Sequence, residues 1–397
     1  MKTTRRTLFG PPRAFGFEGE STAAIPANAS QFPAPLVPRE LIENASQILF
    51  ITHLALGDFA YLQNFFRAFT RAYPHIAVDL WVDEVRRTAD PSQWEKLRNY
   101  ALYSWVSACP CFRKVYTQTY SPALYCASIG EAQQQRYPLV VSIATLRPHR
   151  YAALARAISP RGFVAGMTAK PGLGSLVHLT AWRKLDAAIP PYTVDRNQAQ
   201  HISAIYADWF FRLFGLVVPP GERYPFVDIP GIWQEDASRQ LASWGCQGRR
   251  RVFINPIAKT DKRSWPLERV MQLIAAIRGK REWEDACFIV NAMPDQVQDV
   301  RKMIVDHGLG RTYAFSAQGN FFQLPAMLRT CDLIISVETS IMHLANAIHV
   351  PVIALMRQKN PEWVPIDKEN SKVITAAHRR DWVKAITVEQ VMASLAH

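Results

Sequence analysis

What most limits the fold of this chain is an alternation. Short apolar runs recur along it, each followed by a segment whose apolar residues keep helical spacing. Ile48-Leu49-Phe50-Ile51-Thr52 suits a strand buried on both faces. The loop His53–Asp58 follows, and then apolar residues at 59, 62, 65, 66 and 69 with a helical period. Ile76–Val82 reads as the next strand, which completes a βαβ unit. Leu139–Ala144 is a further strand, followed by a basic loop and an Ala/Leu-rich helix. The rhythm restarts at Val252-Phe253-Ile254-Asn255-Pro256. It predicts helices over 267–278, 295–307, 324–328 and 341–348, and strands at Cys287–Asn291, Thr312–Phe315, Leu333–Ser336 and Val350–Leu355. Strands that alternate with helices throughout argue for parallel sheets with both faces covered.

At 397 residues the chain is longer than one hydrophobic core usually supports. With 49% hydrophobic and 20% charged residues it has a globular composition. The expected architecture is α/β, with two doubly wound, Rossmann-like domains facing a central cleft. Residues 1–45 are rich in Pro, Ala, Gly and Ser and read as a loosely ordered extension. Phe9, Phe15, Phe17 and Phe32 are unusual for a solvated tail and suggest that some of it packs on the body. One domain is expected over 46–225, a connecting region over 226–245 and a second domain over 246–397.

Lys and Arg outnumber Asp and Glu by 46 to 33, a net charge of +13 that favours phosphorylated or otherwise anionic partners. The cations are dispersed, and no run is long enough to read as a nucleic-acid tail. The six cysteines have irregular spacing, suited neither to a disulfide framework nor to a zinc site, and read as reduced thiols of a cytoplasmic protein. No stretch approaches the roughly 20 apolar residues of a spanning helix. Arg5-Arg6 is not followed by the apolar core of an export signal.

Three segments lie just after predicted strands, where open α/β sheets bind ligands. Leu56-Gly57-Asp58 precedes a helix; Gly57 permits close backbone approach, and Asp58 is either a plain cap or a base at the sheet edge. The helix dipole would lower its pKa. The second segment, Asn255 through Pro266, carries Lys259, Lys262 and Arg263 with Thr260 and Ser264, which suits either a diphosphate clamp or a solvated basic loop. The third is Ser336 through Asn346. There, Thr339 and Ser340 enter a helix whose N–H groups can hold an anion, Glu338 can accept from sugar or ribose hydroxyls, and His343 follows. A cap and a packed histidine are the plain alternatives.

Order and spacing of these segments resemble glycosyltransferase family 9, the ADP-heptose:lipopolysaccharide heptosyltransferases. The resemblance spans about 48–357. It rests on the strand leading to Leu56-Gly57-Asp58, on Arg71-Ala72-Tyr73-Pro74, and on Lys262-Arg263-Ser264-Trp265-Pro266-Leu267-Glu268. Its most specific part is Glu338-Thr339-Ser340-Ile341-Met342-His343-Leu344-Ala345 followed by Val350-Pro351-Val352-Ile353-Ala354-Leu355. Glu338 replaces the family's Asp and Ser340 its Gly, which alters the donor pocket.

The resemblance implies a GT-B fold and an inverting sugar transfer without a metal or other cofactor. Asp58 would be the base, on an acceptor loop with Leu56 and Gly57. Lys262 or Arg263, with Thr339, Ser340 and His343, would hold the diphosphate, and Glu338 would orient donor hydroxyls. The implied co-substrate is a nucleotide sugar, ADP-linked. The implied acceptor is an anionic glycan or glycolipid such as a lipopolysaccharide core, reached by a cytoplasmic protein touching the inner membrane surface, with no nucleic acid involved. The rival readings are a non-catalytic sugar-nucleotide-binding protein and a GT-B-like sugar-nucleotide epimerase.

Overall fold

The computed structural model describes residues 34–169, 178–190 and 200–395. The described residues through Arg223 form one unit and those from Tyr224 onward another. The expectation that Phe9, Phe15, Phe17 and Phe32 pack on the body lies outside the described residues.

The N-terminal unit is built on β1 (Gln47–Thr52), β2 (Ala77–Val82), β3 (Lys114–Tyr116), β4 (Leu139–Ser142), β5 (Phe163–Met167) and β6 (Ala187–Ile189). All pair in parallel, in the order β3-β2-β1-β4-β5-β6. That is the Rossmann order. Its topological switch point lies between β1 and β4, where the loops diverge and leave a crevice at the strands' carboxyl ends. The helix Leu56–Ala72 packs on β1 and on the helix Ile202–Phe214 through an aromatic cluster. The fully buried Phe50 ring lies 5.1 Å from Phe66, 5.6 Å from Phe69 and 5.9 Å from Phe210. Truncating such a ring to alanine typically costs about 3–5 kcal/mol.

Residues 34–45, read from composition as part of a loose extension, are instead attached. Leu36 and Val37 donate their N–H groups to Arg212 and Leu213 carbonyls, the helix Arg39–Asn44 follows, and Val37 and Ile42 are buried.

The C-terminal unit repeats the design with β7 (Arg251–Asn255), β8 (Cys287–Asn291), β9 (Thr312–Phe315), β10 (Leu333–Val337), β11 (Val352–Met356) and β12 (Ser371–Thr375). The order β12-β11-β10-β7-β8-β9, again parallel, is the same winding read from the other edge. Its switch point lies between β7 and β10. The helix Leu267–Arg278 buries Val270, Met271, Leu273, Ile274 and Ile277, the stripe its spacing predicts. Residues 226–245, expected as a connection, carry the helix Gly231–Ser243, which buries Ala237 and Leu241 within this unit.

Candidate active site

In the N-terminal unit the strand β1 ends at Thr52 and the helix Leu56–Ala72 begins four residues beyond it. Ala55, not Asp58, is the N-cap, so Leu56, Gly57 and Asp58 form the first helical turn rather than a loop. Asp58 at the third helical position reaches back, its Oδ2 accepting the Ala55 N–H at 2.9 Å. Its Oδ1 accepts the hydroxyl of Tyr206 at 3.0 Å. Tyr206 is buried on the helix Ile202–Phe214, its ring edge-on to Phe65 at 6.2 Å. Each oxygen keeps a further lone pair.

The sequence argument from the helix dipole expected a lowered pKa for Asp58, and the structure reverses the sign. Burial pushes the carboxyl above its ordinary value, and the donors at Ala55 and Tyr206 offset only part of that. A carboxylate so placed is a stronger base than a solvated one. Gly57 lies in the first helical turn and does not adopt a left-handed conformation. His53, in the same turn, stacks on Tyr151 at 5.7 Å; burial lowers its pKa, and its buried Nδ1 has no partner among the described residues.

In the C-terminal unit Asn255, at the end of β7, is a buried hub. Its amide nitrogen donates to Ser336 Oγ at 3.0 Å and to Thr339 Oγ1 at 3.1 Å, and its oxygen accepts from Asn291 at 2.9 Å. The ends of β7, β8 and β10 are thereby tied around the switch point. The loop that leaves β7 is stapled shut at its base. Trp265 N–H donates to Pro256 O at 2.8 Å, and the buried indole donates to Ile386 O at 2.9 Å.

Which of Lys262 and Arg263 is available was undecided in the sequence. Arg263 donates to Glu338 twice, to Oε1 at 3.0 Å and to the carbonyl at 3.2 Å. Lys262 is exposed, and its ammonium lies over the Trp382 ring at 5.8 Å. Arg357, just beyond β11, lies over the same ring at 5.1 Å.

Glu338, expected to face donor hydroxyls, is already engaged. Its Oε1 also accepts from Arg357 at 3.2 Å and Asn360 at 2.8 Å, and its Oε2 from the Arg357 side chain at 3.2 Å and backbone N–H at 3.3 Å. Burial alone would raise its pKa. The bonds from Arg357 and Asn360 and the charges of Arg357 and Arg263 outweigh burial and hold the carboxyl below its usual range.

Thr339 is the N-cap of the helix Ser340–Ala347, its hydroxyl facing the Ile341 N–H at 3.4 Å. The N–H and hydroxyl of Ser340 have no partner among the described residues. His343 is buried, its ring 5.9 Å from Trp363. Tyr206, Arg357, Asn360 and Trp382 were not singled out in the sequence, because they come from loops and a helix remote from the motifs they join. No cluster of His, Cys, Asp and Glu among the described residues is arranged to hold a metal ion, and no helix among them is long and apolar enough to cross a membrane.

Two parallel sheets of Rossmann order in one chain, each with polar groups at its switch point, form the GT-B architecture. The chain belongs to glycosyltransferase family 9 (heptosyltransferase), whose model matches residues 149–389. Solved structures agree on the fold. A family 9 glycosyl transferase from Veillonella parvula superposes with a TM-score of 0.67 at 16% identity, over 88% of this chain and 96% of that one. The ADP-heptose LPS heptosyltransferase II of E. coli gives 0.62 at 14% identity, over 88% and 98%. The E. coli heptosyltransferase WaaC, solved with ADP, gives 0.60 at 16% identity, over 88% and 97%. No curated protein sequence matches the chain. The chain is therefore a glycosyltransferase of the heptosyltransferase family. Asp58 precedes the segment that the family model matches.

Proposed function

We propose that the chain transfers a heptose or related sugar, with inversion, from an ADP-linked donor to an anionic cell-surface glycan such as a lipopolysaccharide core. The observation that carries this reading is the Asp58 carboxylate. It stands beside the switch point of the N-terminal sheet, is raised in basicity by burial, and is oriented by Ala55 and Tyr206 with lone pairs to spare. The acceptor hydroxyl gives its proton to Asp58 as its oxygen forms a bond to the anomeric carbon of the donor. The bond from that carbon to the diphosphate breaks, and its electron pair leaves with the diphosphate.

In the C-terminal unit Lys262 and the unpartnered N–H and hydroxyl of Ser340 are the groups suited to meet that growing charge. Glu338 serves by holding Arg263 and Arg357 in place, and Thr339 by capping the helix that presents Ser340. Two fixed guanidinium groups against one carboxylate leave the region positive, as an anionic leaving group requires. Transfer without a metal ion follows from that supply of charge. The surplus of 46 basic over 33 acidic residues suits work at the inner face of an anionic membrane.

The test is transfer from ADP-heptose to a lipopolysaccharide core acceptor by the purified chain. Product with inverted anomeric configuration supports the proposal. Donor binding without turnover, or a donor epimerised without an acceptor, would replace it.

A further inference from the structure

The carboxyl edge of the N-terminal sheet also holds a small recess of about 70 Å³, lined among others by Asp83, Glu84, Arg87, Tyr125, Arg147 and Arg150. Asp83 and Glu84 follow the end of β2, while Arg147 and Arg150 follow the end of β4, so the recess sits at the edge where this sheet class binds ligands.

The two acids are already met. Asp83 accepts the Tyr151 hydroxyl at 2.9 Å and pairs with Arg87. Glu84 accepts the Arg86 guanidinium at 2.6 and 2.7 Å. Arg87 is held in turn by the Thr119 carbonyl at 2.7 Å and by the Tyr125 ring, 3.5 Å from its guanidinium carbon. Arg147 and Arg150 are exposed and have no acidic partner among the described residues, so two guanidinium charges at the rim stay unbalanced. Arg147 also stands with φ at 53°, in the left-handed region that side chains rarely adopt, at the turn into the helix Pro148–Ile158.

We infer that this recess takes the anionic group of the acceptor, a phosphomonoester or a carboxylate, through Arg147 and Arg150. The size fits. A water molecule needs about 10–15 Å³ of such space, so about 70 Å³ has room for an oxoanion. The planar guanidinium matches both anions bidentately. The neutralised acids and the Arg87–Tyr125 stack give the anion a fixed wall. The inference rests on the reading of the N-terminal unit as the acceptor side.

The experiment titrates the full-length chain with inorganic phosphate and, in a second arm, with acetate, read by calorimetry. Both arms use the Lys262→Ala background so that the donor loop does not contribute. The comparison is the same chain with Arg147→Gly and Arg150→Gln added; glycine at 147 keeps the left-handed backbone, and a thermal melt checks the fold. An isotherm for either anion that disappears in the triple variant supports the site, and the tighter anion names the acceptor group. The same isotherm in both proteins overturns it. In transfer assays on an otherwise unaltered chain, Arg147→Gly with Arg150→Gln should raise the acceptor KM roughly tenfold or more, with donor KM unchanged. Lost phosphate binding with an unchanged acceptor KM would overturn the assignment to the acceptor. Full turnover in Asp58→Asn would sink the base assignment alone, leaving the isotherms to decide this one.

Discussion

Replacing Glu338 by glutamine removes the negative charge between two guanidinium groups while keeping the side chain's shape. The Glu338 side chain is 4% exposed, and those of Arg357 and Arg263 are 11% and 29% exposed, so the charges face each other largely out of water. Breaking a buried ion pair by removing one partner typically costs about 3–5 kcal/mol. Glutamine keeps one acceptor oxygen for Arg263 or Asn360, and the partial exposure of Arg263 screens its charge, which lowers the expectation to about 2–4 kcal/mol. At roughly 2–4 °C per kcal/mol for a unit of this size, the C-terminal unit should melt about 5–15 °C lower.

The pH dependence has a definite sign. The folded pKa of Glu338 lies below its unfolded value, so its contribution is fully present above the ordinary glutamate range and is lost as pH falls through the folded value. The gap between wild type and Glu338→Gln should be largest near neutrality and should close in acid. Calorimetric melts over that pH range make the measurement. A melting temperature within about 1 °C of wild type at neutral pH, or a gap that does not change with pH, would refute the reasoning.

Lys262→Ala should raise the donor KM by roughly tenfold or more with little loss of stability, whereas Arg263→Ala should destabilise the chain, since Glu338 would lose a partner. Steady-state kinetics and melts on both variants separate the two effects. Tyr206→Phe removes one donor from the ionised form of Asp58, so the Asp58 pKa should rise further and the acid limb of kcat/KM should move to higher pH. An unmoved limb would show that Tyr206 does not act on the base. Excess EDTA should leave turnover unchanged, and its loss, restored by a divalent cation, would contradict transfer without a metal.

The central elements were legible because burial on both faces leaves a simple trace. β1, β7 and β10 are apolar runs with almost every residue enclosed. The strands that escaped notice lie toward the sheet margins. β3 and β6 span three residues each, β12 is half exposed along its length, and β5 contains Gly166, a poor strand former. Residues 226–245, placed as the connection, contain Pro230 and Gly231. These two residues mark the entry to the helix Gly231–Ser243.

The motif residues were equally visible, but their roles depended on partners far away in sequence. Glu338 was visible as a possible hydroxyl ligand, whereas its bonds to Arg357 and Asn360 were not. Arg263 is held by Glu338 and Lys262 lies over Trp382, and neither partner is near them in the chain. The pKa of Asp58 is raised and not lowered because burial, which local sequence does not show, outweighs its hydrogen-bond donors.

The most direct test of the account is Asp58→Asn, assayed for sugar transfer across pH. Asparagine keeps an oxygen for the Ala55 N–H and so preserves the helix start, while it cannot take up a proton. The account predicts an intact fold, unchanged donor binding and a loss of about 10²- to 10⁴-fold in kcat, together with the disappearance of the acid limb of the pH profile. Turnover within about tenfold of wild type, with that limb still present, would show that another group takes the acceptor's proton.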